Sequence, residues 1–570
     1  MTTSPASPDD APGARGDPAP SAGVLRQTTA QATVAALVAH GIDTLYALPG
    51  VHSDGLFDAI AQSGGAMRVL HPRHEQTAGY MALGAALATG RAQVCAMVPG
   101  PGVLNASAAL LTAYGTGAPV LALAGQVPSD AIDKGWGHLH ELPDQPGLLR
   151  HFCKFVARIG GAADAPALVA EAIRHSLGGR MRPVALECAI DTWQCPGAVV
   201  PVAPLPLRQP QVDPQAVVAA AALLERAERP LILAGGGALD AAAQVRELAE
   251  RLGAPVVTFR RGRGVMPTTH PLAASLPVGH RLWKDADVVL GVGTRMHFAQ
   301  ANWGTDAALK IIRLDIDAEE HHRLRRPDVA LHGDARQGLA ALLAALPGAR
   351  RAARAEVAAA QAWFADRLAR LEPQMGFLRA LRAALPEDGV VVEDVTQVGF
   401  VGRLAFEVSA PRRYISPGYQ DNLGWGYGSA LGVQAACPGR AVVALCGDGG
   451  FMYQAGELAT AMRHRLPAIA LVFDDGAFGN VKRIQSEHFD HRLIAHDLVN
   501  PDFVAFARSF GMNAWRADDA AGLQRALREA IEARAPALIH VPVGEMPSPW
   551  DMIVMPRLRG ADEAWRPALP

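Results

Sequence analysis

Aromatic side chains (6%), net charge (−2, from 53 Lys+Arg against 55 Asp+Glu) and cysteine (6) are all scarce in this 570-residue chain. So balanced a charge excludes a general electrostatic pull toward nucleic acid or an anionic membrane. The cysteines, at 95, 153, 188, 195, 437 and 446, form no CxxC pair. In a chain this long they read as reduced structural thiols, not as a disulfide scaffold or a zinc site. Uninterrupted apolar runs are missing too. The closest approach is Ala92 to Ser129, which holds no charged residue. Pro99-Gly100-Pro101-Gly102 and Gly115-Thr116-Gly117-Ala118-Pro119 cut it into pieces shorter than the roughly 20 residues of a spanning helix. It reads as a buried strand, a glycine turn, a helix from Asn105 to Tyr114 and a second buried strand from Pro119 to Ala124. No membrane partner is expected. Residues 1–23 contain no Val, Ile, Leu or aromatic residue. They read as a disordered leader without a secretory signal, which places the chain in the cytoplasm.

Half of the residues are hydrophobic, enough for several cores, and the length predicts three or four domains of roughly 150 residues each. Strand-like and helical runs alternate from residue 25 to about 545, the pattern of an α/β protein with parallel sheets. Two breaks divide the chain. Residues 196–211 are a proline-rich linker, and 347–373 are an Ala/Arg/Glu-rich helical linker whose Arg350, Arg351 and Arg354 read as a solvated helix face. Domains are therefore expected at 24–195, 212–346 and 374–550, with a tail at 551–570. In the middle domain, Leu231-Ile-Leu-Ala-Gly-Gly-Gly237 is a strand running through a glycine turn into a helix. The spacing is not GxGxxG, and Arg260-Arg261, not an acid, follows the next strand. A tight turn is the better reading than an NAD site, and a different nucleotide stays open.

The third domain carries the strongest pattern. Ala441 to Cys446 is a buried strand ending in Gly447-Asp448-Gly449-Gly450, followed by a helix from Tyr453 to Arg465. The next strand, Ala468 to Phe473, ends in Asp474-Asp475-Gly476-Ala477. In such a βαβ unit both acidic ends emerge at the carboxyl edge, where open α/β sheets bind ligands. Asp448 and Asp475, with the Ala477 carbonyl, offer hard oxygens suited to Mg²⁺. The glycines at 447, 449 and 450 let backbone N–H groups approach a diphosphate.

This order resembles the thiamin-diphosphate signature, and His71-Pro-Arg-His-Glu75-Gln76 is similar to the matching first-domain segment of acetolactate synthases, 2-oxo-acid decarboxylases and benzaldehyde lyases. The resemblance runs over residues 25–545. It implies three doubly wound parallel-sheet domains (pyrimidine-binding, central and diphosphate-binding), with thiamin diphosphate and Mg²⁺ as cofactors. It implies that Glu75 protonates the aminopyrimidine and that Pro49, Gly50 and Asn105 lie beside it. Val395-Thr396-Gln397 would cradle the diphosphate with Gly447, Asp448, Gly449, Gly450 and Asp475, and Leu423 would hold the cofactor bent. It further implies a homodimer as the smallest active unit, a tetramer as the expected assembly, and a 2-oxo acid or aldehyde as substrate.

Departures bear on the substrate. Asp475 stands where most relatives have Asn, Ile484 where acetolactate synthases have Trp, and Leu139-His140 where they have Phe-Gln. The stretch after Leu276 lacks much of the segment associated with FAD, so FAD is left open. His52 resembles a benzaldehyde-lyase histidine, His140 lies near the paired histidines of pyruvate decarboxylases, and Lys154 is similar to a pocket-entrance lysine. The expected activity is 2-oxo-acid decarboxylation with carboligation. The alternatives are a benzoylformate-type decarboxylase, an aldehyde or acyl-CoA lyase, and a flavin-dependent oxidase.

Overall fold

The computed structural model describes residues 24–348 and 350–560, so the expected leader over 1–23 lies outside the described residues, as do residues 561–570. The alternating strands and helices assemble three six-stranded sheets, with parallel pairing throughout each. The first sheet runs Arg68–Leu70, Thr44–Ala47, Gln93–Met97, Val120–Gln126, Val184–Ala189, Val156–Ile159. The third repeats that topology with Tyr414–Ile415, Val390–Glu393, Val442–Gly447, Ala468–Asp474, Ala537–Pro542, Asn513–Arg516. The central sheet runs Ala273–Ala274, Val256–Thr258, Pro230–Ala234, Val288–Val292, Lys310–Asp315, Val329–His332, the strand order of dinucleotide-binding folds. In each sheet the winding reverses beside its first strand, and the crevice at that point opens at the carboxyl ends of the two flanking strands.

The charge-free stretch forms the strand–helix–strand unit expected of it, with the helix running over Pro101–Thr116 and not from Asn105. Proline suits a first helical turn, where its missing N–H has no partner to lose. Gly100 before it takes the left-handed φ of 57° that this sharp entry needs. After the third-domain strand, Asp448 opens a helix at once. The expected single helix from Tyr453 to Arg465 is replaced by Asp448–Met452, a 3₁₀ turn Ala455–Glu457 and Leu458–His464. Gly456, a poor helix former, sits at the break.

Three connecting segments differ from expectation. Pro196–Val199, expected as the start of a linker, pairs antiparallel with Leu25–Thr28 and closes the first domain. Proline is tolerated there because it is the first residue of a strand in a two-stranded ribbon. The helix Ala355–Leu368 buries Val357, Ala360 and Phe364 in a core shared with Trp283. The arginines precede this helix and do not line it. Arg351 donates to the Glu225 and Ala227 carbonyls, Arg354 to that of Glu228, and Arg350 pairs with Glu250. Arg351 and Arg354 thus capture carbonyls at and just beyond the end of helix Pro214–Arg226. The tail packs through residue 560. Met552, Ile553 and Met555 are buried, and Arg559 pairs with Asp306 at 3.0 Å.

The first and third domains share one core. Helix Glu75–Thr89 is buried from Thr77 to Ala88, and helix Gly426–Ala436 from Gly426 to Ala435. They cross backbone to backbone: a Cβ on Gly432 would overlap the Met81 carbonyl, and one on Gly84 that of Ser429.

Candidate functional site

At the carboxyl edge of the third sheet, Gly447 is in register with Phe473, so Asp448 and Asp475 leave the sheet at the same edge. Their carboxyl groups lie within hydrogen-bonding reach of each other. Burial, and then the charge of Asp475, push the Asp448 pKa up to about 7, while burial also raises that of Asp475. Ala477 follows on the same turn, its N–H donating to Asp475 Oδ1 at 3.3 Å. Two carboxylates that repel one another fit a hard divalent cation. Among the described residues no group of three or more His, Cys, Asp or Glu side chains is placed to hold a metal. A cation here would take the two carboxylates and complete its shell with carbonyl and ligand oxygens, as Mg²⁺ does. The Gln397 amide donates to Asp475 Oδ2 and accepts from the Met546 N–H at 3.1 Å, joining the turns at the ends of two strands.

The glycine turn has no room for side chains. A Cβ on Gly447 would meet the Val395 carbonyl at 3.1 Å and Thr396 at 3.4 Å, one on Gly449 the Phe478 ring at 2.7 Å, and one on Gly450 Leu423 Cδ1 at 3.3 Å. Val395, Thr396 and Leu423 therefore gather around Gly447–Gly450. Asp394, which no sequence motif singles out, holds this arrangement. It is 1% exposed and accepts from the N–H groups of Val395 (2.7 Å), Gly426 (3.0 Å) and Gly424 (3.3 Å), fixing the Leu423 turn. Burial lifts its pKa to about 7. The only clue in the sequence is an acid at a strand end, which reads as ordinary.

The first sheet presents its switch point through Pro49-Gly50 and Pro99–Gly102. Gly50 packs on Val98, and its carbonyl accepts from the Ser53 N–H (2.8 Å) and Oγ (3.0 Å). Glu75 opens its helix after the His74 cap, and Glu75 Oε2 accepts from Asn105 Nδ2 at 3.0 Å. His52 and His140 stack with ring centroids 5.2 Å apart at 26°. The Nδ1 atoms of both lack hydrogen-bond partners among the described residues. The His140 backbone presses on Gly100, and His52 lies against Gly125 with Pro99, so the pair adjoins the helix that carries Asn105. Lys154 is placed otherwise: its Nζ donates to the Gly178 (2.6 Å) and Arg180 (3.0 Å) carbonyls.

Burial, then the neighbouring His140, lower the His52 pKa from 6.5. The fold thus favours the neutral ring, and stability associated with His52 is lost as acidification reaches and passes below the ordinary histidine range. His52→Gln is expected to flatten the fall in Tm between about pH 7 and pH 5, as thermal melts across that range would show.

The loop that delivers Glu75 is fastened from the third domain of the same chain. The buried Glu457 carboxylate accepts from the Arg73 N–H at 3.0 and 3.2 Å and from the Thr460 hydroxyl, while His464 Nε2 meets the His71 backbone at 3.1 Å. Glu457→Ala is expected to lower turnover about tenfold to a hundredfold by loosening that loop. Glu457→Gln, which keeps an acceptor for Arg73, should restore most of it in steady-state assays.

A separate cavity of about 470 Å³ opens at the switch point of the central sheet, against the first domain. Gly235 and Gly237 press on Gly293 there, and Arg261 lines it with its Nε unpartnered. Burial lowers the Arg261 pKa to about 10. Asp315 lines the cavity as well, its own pKa raised by burial to about 6.

Comparison with known proteins matches this geometry to one family. Residues 27–148 match the thiamine pyrophosphate enzyme N-terminal TPP binding domain, 217–342 the central domain and 394–541 the C-terminal TPP binding domain. A probable 2-ketoarginine decarboxylase of Pseudomonas aeruginosa is 36% identical over 90% of this chain and 94% of its own length. A probable acetolactate synthase large subunit of Methanocaldococcus jannaschii is 31% identical over 90% and 91%. A sulfoacetaldehyde acetyltransferase of Castellaniella defragrans is 28% identical over 90% and 92%. Among the described residues no helix is long and apolar enough to cross a membrane.

Proposed function

This chain belongs to the thiamin diphosphate enzyme family, and from that premise we propose that it decarboxylates a 2-oxo acid and passes the remaining fragment to a proton or to a second carbonyl. The observation that carries this reading is Glu75, an acid held by Asn105 at the start of its helix, with His52 and His140 stacked against the turn that opens the Asn105 helix. When bound, thiamin diphosphate would supply a nucleophilic carbon for the substrate's carbonyl and a thiazolium ring that acts as sink for the electron pair left behind as CO₂ departs.

The chain's residues divide the remaining work. Asp448, Asp475 and the Ala477 carbonyl would hold Mg²⁺, and the amides of Gly447–Gly450 with the Val395–Gln397 turn would hold the diphosphate. Leu423 would pack against the cofactor. Glu75, bonded to Asn105, would hold a proton for the aminopyrimidine nitrogen, and Pro49 and Gly50 would line that end. His52 and His140 offer hydrogen bonds to the substrate's carboxylate and carbonyl, His52 as a neutral ring.

Within one chain, Glu75 and Asp448 share no hydrogen-bond partner among the described residues. Leu104 and Leu111, on the Asn105 helix, and Met452 and Tyr453, beyond the glycine turn, are all more than 40% exposed. We read these as faces of a homodimer in which Glu75 of one protomer completes the metal end of its partner.

Helix Gly479–His488, which carries Asn480 and Ile484, has no buried residue, and Ile484 leaves space where a Trp would crowd a side chain longer than methyl. The named substrate of the Pseudomonas aeruginosa relative supports a long cationic 2-oxo acid as the first one to assay. The test gives purified protein thiamin diphosphate, Mg²⁺ and a panel of pyruvate, benzoylformate and 5-guanidino-2-oxopentanoate, with products read by NMR. No turnover of any member would sink the proposal.

A second ligand is favoured by the central cavity, where a buried arginine and facing glycine turns suit a nucleotide diphosphate. The visible spectrum of the protein, and the nucleotides released on denaturation, distinguish FAD from an adenine nucleotide and from neither.

A further inference from the structure

Asn500 lies half-buried at the end of the excursion from residue 479 to 499 and is 52 residues from Asp448. Its Nδ2 donates to Asp448 Oδ2 at 2.6 Å and to Asp474 Oδ1 at 2.8 Å. The Gly476 N–H donates to the same two oxygens, at 3.1 and 3.2 Å. Asp474 Oδ2 is taken by His540 Nε2 at 3.0 Å. One oxygen of Asp448 is thus held by the protein from two sides, and Oδ1 takes neither of these donors.

We propose that Asn500 is a positioning residue of the cation site: by engaging Asp448 Oδ2 and Asp474 Oδ1 together, it leaves Asp448 Oδ1 as the oxygen that faces the metal. The chemistry of the amide suits this role. It brings two N–H donors and no charge, so it joins two carboxylates without opposing a divalent cation as a lysine would. Backbone contacts fix its approach. Leu498 N–H donates to the Gly476 carbonyl at 2.9 Å, and Phe478 N–H to that of His496 at 2.7 Å, so the strand of chain before Asn500 is laid along the metal turn itself.

The inference rests on the reading of Asp448 and Asp475 as Mg²⁺ ligands, and its test separates the two. Full-length protein stripped of cofactor is titrated with Mg²⁺ at saturating thiamin diphosphate, and binding is followed by tryptophan fluorescence. Asn500→Ala is expected to raise half-saturating Mg²⁺ about tenfold or more, the loss of one hydrogen bond to a charged group. Asn500→Ser, which retains one donor, should fall between it and the unaltered protein, and it decides the matter if the alanine variant melts below the assay temperature. Unchanged half-saturation in a folded variant overturns the role of Asn500 and leaves only an anchor for the loop, which would move Tm alone. Absence of Mg²⁺-dependent binding in the unaltered protein would instead overturn the metal reading itself.

Discussion

Glu75→Gln is expected to reduce turnover of every accepted 2-oxo acid by about a hundredfold to ten-thousandfold while leaving thiamin diphosphate bound. The substitution is nearly isosteric, and its amide oxygen still accepts from Asn105, so the start of helix Glu75–Thr89 keeps its present contact. What is lost is the exchangeable proton at the aminopyrimidine. Steady-state kinetics on the panel, beside equilibrium dialysis of the cofactor, separates the two properties. A variant with unaltered turnover would remove Glu75 from the chemistry, and one that has lost cofactor binding would make it a binding group instead.

Asp448→Ala is expected to act at the other end of the cofactor. Removing one of two protein carboxylates should weaken Mg²⁺-dependent retention of thiamin diphosphate by about a hundredfold or more, beyond the loss usual for residues that only orient a metal ligand. Its effect on the cofactor-free protein is smaller. There the repulsion from Asp475 that raises the Asp448 pKa is relieved, while the hydrogen bonds from Asn500 and Gly476 are lost, so the melting temperature of the apoprotein should change little. Gel filtration followed by cofactor assay, together with thermal melts with and without Mg²⁺, reads both effects. A fall in apoprotein stability with retention intact would contradict the assignment.

Asp448, Asp475 and Glu75 could be marked in the sequence because each lies in a contiguous motif, and the structure places the first two at one sheet edge and the third at a helix start. The three parallel sheets followed from periodicity for the same reason. Asp394, Glu457 and Asn500 were not legible. Each acts across the fold, Glu457 on a backbone N–H 384 positions away, and no local pattern records such a meeting. His52 and His140 could be marked singly, but their stacking depends on a loop in which His140 takes a φ of 63°. Composition misread Arg351 and Arg354, since a solvated helix face and the capture of free carbonyls call for the same side chains. It misread Pro196 as well, because proline marks linkers and strand beginnings alike.

The glycine crossing of helices Glu75–Thr89 and Gly426–Ala436 limits how this enzyme can move. Backbones in direct contact leave no layer of side chains to shear, and a slip of one residue, about 1.5 Å along the axis, would drive Ser429 or Met81 into a neighbour's main chain. The pyrimidine and diphosphate domains of one chain must therefore travel as a single rigid body. Substrate entry and product release then fall to what lies outside that body. The excursion over residues 479–499 lies outside that body, with Ile494 75% and Val499 100% exposed, and it is tied to the metal turn through Leu498 and His496.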